Sequence, residues 1–458
     1  MINLLKKKNN KNKNLVVLID GEHYPQVTYD AISELKRIYK GHFKGIVFLG
    51  GTEKLADVNI EDFFGEKIYV IKDIDTDFEN ALRYFKPDIA YDLSDEPVVN
   101  YIIRMKIASY CLANKCSYMG PDFLFSYEEK NIHCKKPTLS IIGTGKRIGK
   151  TAISSYVSKI FTGENINVCV VAMGRGGPRE PQVIRGDKIT ITPGYLLKIN
   201  SKGMHASSDY IEDALTSRVA TVGCRRCGGG FGGKIFMSNV KEGIKVAENL
   251  DPDLIIVEGS GASIPDIKTD SCICVVSAAQ SWESIVGYLG IYRILSSNLI
   301  ILTLCEEPLA SRDKINFIED KIKKINPKAP VIKTVFRPQP LSGISGRKIF
   351  MAMTASKDIE PKIKEYMEHN FKCRIKKMSF NLGDREKLRV DLEKSKSYDT
   401  ILTELKAASV DVLTEYAYKN NKEVVYMNNM PLILNGKDVL KDELKKLFQK
   451  EKKNNGSK

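Results

Sequence analysis

Residues 141–151 read IIGTGKRIGKT, an apolar run that breaks into glycines and closes on Gly149, Lys150 and Thr151. The apolar residues predict a buried strand, and TAISSYVSKI after the turn predicts a helix. A strand, loop and helix in this order form a cradle for phosphate. Glycines let backbone N–H groups close on phosphate oxygens, and the helix adds the positive end of its dipole. Lys150 reaches the terminal phosphates, and Thr151 offers a hydroxyl to Mg²⁺. Five residues, not four, separate Gly143 from Gly149, so Thr144 stands where the plain GxxxxGK[ST] pattern has its first glycine. We expect the whole run to hold ATP: Gly143, Thr144, Gly145, Lys146, Arg147, Gly149, Lys150, Thr151 and Ala152. Lys150 and Lys146 are the expected catalytic cations within it.

A phosphate loop needs an acidic partner for its metal, and DPDLIIVEGSGAS (251–263) supplies Glu258 at the end of a second short apolar run. Ligands of open α/β sheets bind at the carboxyl ends of strands, which makes Glu258 the Mg²⁺ candidate beside Thr151. A third run, NVCVVAMGRGGPREP, places Arg175 and Arg179 in a Gly/Pro loop after a strand, with Arg185 six residues beyond Arg179. Arginines there suit a bidentate grip on phosphate or carboxylate, and Arg175 is the expected catalytic one.

At 458 residues, 43% hydrophobic and 8% aromatic, the chain is long enough for about three domains, each with its own core. The expected fold class is α/β and multidomain. A P-loop NTPase-type parallel sheet over 135–306 is flanked by a Rossmann-like α/β domain over 14–134 and a C-terminal α/β domain over 307–440. Basic tails are expected over 1–13 and 441–458. In the first domain LVVLID, GIVFLGG and KIYVIKD alternate with helical segments, the pattern of parallel βαβ units. Asp20 and His23 follow its first strand as candidate substrate residues, with a turn and helix cap as the plainer alternative. Gly50 and Gly51 end the next strand but make no dinucleotide fingerprint, so no nicotinamide cofactor is expected. In the third domain PVIKTVFRPQP, RKIFMAMTA and EVVYMNN read as strands, and Arg337 is the substrate candidate among its basic residues.

The net charge of +15, from 71 basic and 56 acidic residues, is concentrated at the ends, which hold nine of those charges. The remaining charge suits a small polyanionic substrate better than nucleic acid, for which no recognition signature is present. No run approaches the roughly 18 apolar residues of a membrane span, and the opening MINLLKKKNNKNKN is not a secretory signal. A cytoplasmic protein with no membrane partner is expected, and a homodimer is compatible with the chain. Ten cysteines in such a chain argue against a disulfide scaffold. Cys224 and Cys227 form a CxxC without a second pair, a weak metal signal. Between them, Arg225 and Arg226 open a glycine-rich segment that reads as a mobile basic loop for an anion, or as an ordinary surface loop.

The phosphate loop resembles the GTxxxxGKT variant of dethiobiotin synthetase and its amide-forming relatives. DGEHYP, SIIGTGKRIGKTA, AMGRGGPREPQV, GCRRCGGGFGGK, LIIVEGSGASIP and TVFRPQPL occur here in the order found in the cyclic 2,3-diphosphoglycerate synthetase family. That resemblance runs over nearly the whole chain apart from the lysine-rich ends. It implies an enzyme that uses ATP and Mg²⁺ to close 2,3-bisphosphoglycerate into its cyclic pyrophosphate, releasing ADP and phosphate. Lys150, with Mg²⁺ on Thr151 and Glu258, would hold the γ-phosphate. Arg175, Arg179, Arg225, Arg226 and Arg337 would counter the substrate's charge. An ATP-dependent ligase or kinase acting on another phosphorylated or carboxylic acid is the alternative, and a nucleotide-switched binding protein is a third reading.

Overall fold

The structure, a computed structural model, describes residues 12–39, 42–51, 53–54, 59–395, 397–435 and 437–455. All but the last two residues of the lysine-rich opening segment lie outside these. The chain forms two compact units that interleave in sequence. One runs up to Glu129 and adds Trp282–Ser296 and Asp320–Lys328; the other comprises Lys130–Ser281, Ser297–Glu319 and Ala329 onward. The expected boundary at residue 306 therefore falls inside the second unit.

The first unit is built on β1 (Leu15–Ile19), β2 (Phe43–Phe48), β3 (Ile68–Val70), β4 (Ile89–Asp92), β5 (Ser117–Met119) and β6 (Leu124–Phe125), in the order β3-β2-β1-β4-β5-β6. All neighbours are parallel except β6, which runs antiparallel to β5. β1 is buried along its whole length, as the uninterrupted LVVLI run requires of a central parallel strand. The helix Tyr101–Ala113 buries six consecutive residues from Ile107 to Leu112. It is apolar on more than one side because the inserted helix Gly290–Leu295 packs on it as well.

The second unit holds a 13-stranded sheet. Its strands are β7 (Thr138–Gly143), β8 (Val168–Gly174), β9 (Gln182–Arg185), β10 (Ala220–Cys227), β11 (Met237–Ser238), β12 (Leu254–Glu258), β13 (Ser271–Ser277) and β14 (Leu299–Thr303) in the phosphate-loop half. β15 (Val331–Pro340) joins these to β16 (Lys348–Ala352), β17 (Arg374–Ser379), β18 (Thr400–Glu404) and β19 (Glu423–Ile433). The order is β11-β10-β8-β12-β7-β13-β14-β15-β19-β18-β16-β17, with β9 paired to β10. Val331–Lys333 of β15 pair parallel with β14, whereas Thr334–Pro340 pair antiparallel with Met427–Ile433 of β19. The strands beyond β19 are parallel to one another, so the two halves of the sheet run in opposite directions.

Three helices of this unit carry the argument: α1 (Lys150–Gly163), α2 (Asp209–Ser217) and α3 (Lys437–Asn455). α3 includes most of the stretch read in the sequence as a basic tail. Leu440, Leu444 and Phe448 recur at helical spacing beneath its lysines and join Leu139, Ile153, Val157, Phe161 and Ile256 in one core cluster. The rings of Phe161 and Phe448 meet at a tilt with centroids 5.6 Å apart, and Lys441 and Lys445 pair with Glu164 at 2.5 and 3.4 Å. Leu444 is fully buried, so Leu444→Ala is expected to destabilise the second unit by about 2–5 kcal/mol, read from its denaturant-unfolding midpoint. An unchanged midpoint would mean that α3 is dispensable to the core.

Candidate nucleotide and anion site

The loop after β7 is held from three sides. A side chain at Gly143 would meet Ile148 Cδ1 at 2.5 Å and the Val275 carbonyl at 3.0 Å. Gly149 has φ +93°, and a Cβ there would lie 2.3 Å from the ring of Phe336 on β15, so only glycine fits. Thr303 donates to the Ile148 carbonyl at 2.9 Å, and Thr144 donates to Gln280 Oε1 at 3.0 Å. Gly149 caps α1 without a side-chain acceptor, so the first-turn amides point at the loop unclaimed by a cap, with Thr151 in the same turn.

Lys150 is buried and donates to the Gly145 carbonyl at 2.7 Å. Burial pulls its ammonium down to about 8, opposed by the charges of Glu258 and Asp209. Glu258, 2% exposed at the end of β12, is pushed up to about 8 by burial and by Asp209. Asp213, wholly buried, is raised well above the carboxylate range by burial and by Glu258. Asp209, Glu212 and Asp213 occupy one face of α2 by their spacing, and this helix packs against α1, β8 and β10. Among the described residues both oxygens of Asp213, Oε1 of Glu258 and Oε2 of Glu212 have no hydrogen-bond partner. Carboxyls so close together and so buried do not all ionise at once.

A cavity of about 610 Å³ opens beside this cluster. Lys146, Arg147, Gly149, Lys150, Thr151 and Ala152 line it from the loop, and Arg175 lines it from the end of β8. Residues 353–356 after β16, and Glu404, Lys406 and Ala407 at the end of β18, line it from the other half of the sheet. Arg226 stands behind Ser260, donating to its carbonyl at 2.8 Å and to that of Gly228 at 3.0 Å. Burial and the neighbouring Arg175 charge push its guanidinium down. A side chain at Gly261 would meet Arg175 Nη2 at 2.8 Å.

The remaining expected residues are placed differently. Arg225 and Arg226 belong to β10, not to a mobile loop, because Ala220–Arg225 pair with Cys169–Gly174 of β8. As neighbours on a strand they face opposite ways, and the Arg225 amide is held by Asn239 Oδ1 at 2.7 Å. For the same reason Cys224, buried, and Cys227, exposed, are not a joint ligand pair. Arg179 is exposed, its carbonyl accepting from Asn239 at 3.0 Å. Arg337 is engaged by Glu306 through two bonds of 2.6 and 2.8 Å. Asp20 and His23 belong to the first unit, where the Asp20 carboxylate accepts from the Glu22 amide and the His23 ring at 3.0 Å each and from the Asp95 amide. That arrangement is a turn ahead of the helix Pro25–Tyr39.

The sequence had drawn no attention to His205, Asp209 or Lys406, all three on the cavity wall, nor to Glu212 and Asp213. The i, i+3, i+4 acids of α2 look like an ordinary solvated face until the helix is seen to be buried.

Family matches run over residues 14–126 (cyclic 2,3-diphosphoglycerate synthetase, N-terminal domain), 138–335 (P-loop domain) and 340–430 (C-terminal domain). The chain belongs to the cyclic 2,3-diphosphoglycerate synthetase family. Relatives of that name include those of Methanosphaera stadtmanae, 43% identical over 93% of this chain and 95% of the relative, and of Methanothermus fervidus, 45% identical over 92% and 94%. A solved structure of LpxK from Aquifex aeolicus in complex with ATP aligns with TM-score 0.40 and 12% identity over 69% of this chain and 90% of that one. Within the cyclic 2,3-diphosphoglycerate synthetase framework, the matched P-loop and C-terminal segments both contribute walls to the cavity.

Burial raises Glu212 from its ordinary 4.5 to about 7, against the opposing pull of Lys406. A raised acid stabilises the fold below its unfolded value and loses that contribution as pH climbs through the folded one. Glu212→Gln is therefore expected to gain in melting temperature relative to the parent between pH 5 and pH 8. A difference independent of pH would contradict this.

Proposed function

We propose that the protein closes 2,3-bisphosphoglycerate into cyclic 2,3-diphosphoglycerate, with ATP converted to ADP and phosphate, and that it acts in the cytoplasm. The observation that carries this reading is the meeting of Lys146, Arg147, Lys150 and Arg175 on one cavity beside the bare N-terminus of α1. A substrate with two phosphates and a carboxylate needs that concentration of positive charge. The chain-long kinship with proteins named for this product supports the choice of substrate.

Lys150 keeps its proton at neutral pH because its ammonium is lowered only to about 8, and it moves from the Gly145 carbonyl to the terminal phosphates of the nucleotide. The α1 amides receive the same phosphates. One substrate phosphate oxygen attacks the γ-phosphorus and ADP leaves. The second substrate phosphate then attacks the phosphorus of the first, forming the P–O–P ring and expelling inorganic phosphate. No side-chain nucleophile takes part; the protein contributes alignment and charge. Arg175, with Arg226 behind it, holds the substrate's anionic groups together against their repulsion.

Mg²⁺ fits the donors present. The Thr151 hydroxyl and the buried, unpartnered Oε1 of Glu258 are hard oxygen ligands. No group of three or more His, Cys, Asp or Glu side chains arranged for a metal occurs among the described residues, which suits an ion that completes its shell with phosphate and water. When bound it would supply charge to offset that of the phosphates.

Phosphorus NMR of the protein with ATP, Mg²⁺ and 2,3-bisphosphoglycerate is expected to show a new upfield pyrophosphate signal matched by ADP and phosphate. In Lys150→Ala its rate should fall at least about 100-fold, and in Arg175→Ala the loss should be mainly in KM for the bisphosphate. Nucleotide hydrolysis without the new signal would overturn the substrate assignment while leaving the nucleotide site in place.

A further inference from the structure

Lys406 lies in TELKAAS, just past the carboxyl end of β18, in the half of the sheet that carries no phosphate loop. It nevertheless lines the same cavity as Lys150 and Arg175. Its side chain is 28% exposed, and its Nζ meets Glu212 Oε1 at 3.1 Å, while Glu212 on α2 is only 9% exposed. Glu404, two residues before it, accepts from Thr354 at 2.7 Å through Oε2 and from Asn429 at 2.9 Å through Oε1. Glu212 is thus the carboxylate that seats the ammonium. An ammonium has three donors, and one of them is directed at Glu212.

Burial works against the charge on Lys406, but Glu212 and Glu404 outweigh it and the balance is upward. The side chain stays a cation throughout the neutral range. Asp209, at the start of α2, acts electrostatically on both Lys406 and Lys150, so one carboxylate is felt by both lysines. The phosphate loop has Lys150 and its own amides for the nucleotide, so a second lysine arriving from the opposite half of the sheet is placed for the group that the nucleotide must meet.

We propose that Lys406 binds a phosphate of the small-molecule substrate, held in position by Glu212. This rests on the reading of the cavity as a site for 2,3-bisphosphoglycerate. The lysine then has two roles in sequence: counter-ion to the acidic face of α2, and donor to the incoming phosphate. A purely structural lysine would have the first role alone.

Calorimetric titration of the full chain separates these. 2,3-Bisphosphoglycerate would be titrated in the presence of Mg²⁺ and a non-hydrolysable ATP analogue, and the analogue alone in a second series. Lys406→Met is expected to weaken the bisphosphate by about tenfold or more, to leave the analogue within about twofold, and to be largely rescued by Lys406→Arg. Lys406→Met strands Glu212, so the double variant K406M/E212Q, which removes both charges together, carries the same expectation with folding checked by melting temperature. Unchanged bisphosphate affinity in the folded double variant, or equal losses for both ligands, would overturn the role of Lys406. A parent protein that makes the cyclic product while the variants keep its KM fails the Lys406 assignment alone. A parent that neither binds nor converts the bisphosphate fails the proposed function and this inference together.

Discussion

The antiparallel pairing of Thr334–Pro340 with Met427–Ile433 is the constraint on which the second unit depends. An open parallel sheet offers ligands only the edge where its strands end. Here one ten-residue strand finishes the phosphate-loop half with its first three residues and begins a reversed half with the other seven. The loops after β8 and β12 and those after β16 and β18 then face one cavity. Phe336, in the middle of that seam, also abuts Gly149. The contact that joins the halves therefore fixes the shape of the phosphate loop.

The charges around the cavity follow from what is buried beneath it. Glu258, Asp213 and Glu212 are taken out of water by β12 and α2, and several of their oxygens have no protein donor. Unmatched buried carboxyls reduce stability. They persist where a site needs acceptors, held protons and positioned cations more than it needs a quiet core. Lys150 and Lys406 are the two lysines set against this acidity, one from each half of the sheet.

Much of the architecture was legible in the chain because its signals are local. Short apolar runs such as LVVLI and LIIV, bounded by turn residues, suit buried parallel strands, and the glycines from Gly143 to Gly149 mark the phosphate loop on steric grounds. What was not legible depends on partners distant in sequence. The glycines after Cys227 suggested a loop, yet pairing with β8 carries the strand through Arg225 and pairing with β11 carries it through Arg226. Arg337 looked available until Glu306 is found on it. The lysines of α3 concealed leucines spaced for burial, and nothing local in HASSDYIED or TELKAAS says that these two segments meet.

The position of α3 in the chain has a bearing on synthesis. Every motif of the phosphate cradle lies before residue 341, but the core beneath α1 also includes Leu440, Leu444 and Phe448, and the far edge of β15 is covered only by β19. A nascent chain on the ribosome displays a complete nucleotide signature well before it can close the core that supports it. The core beneath α1 thus cannot be completed before α3 has been made. During that interval the open edge of β15 is the surface most in need of protection from pairing with another chain.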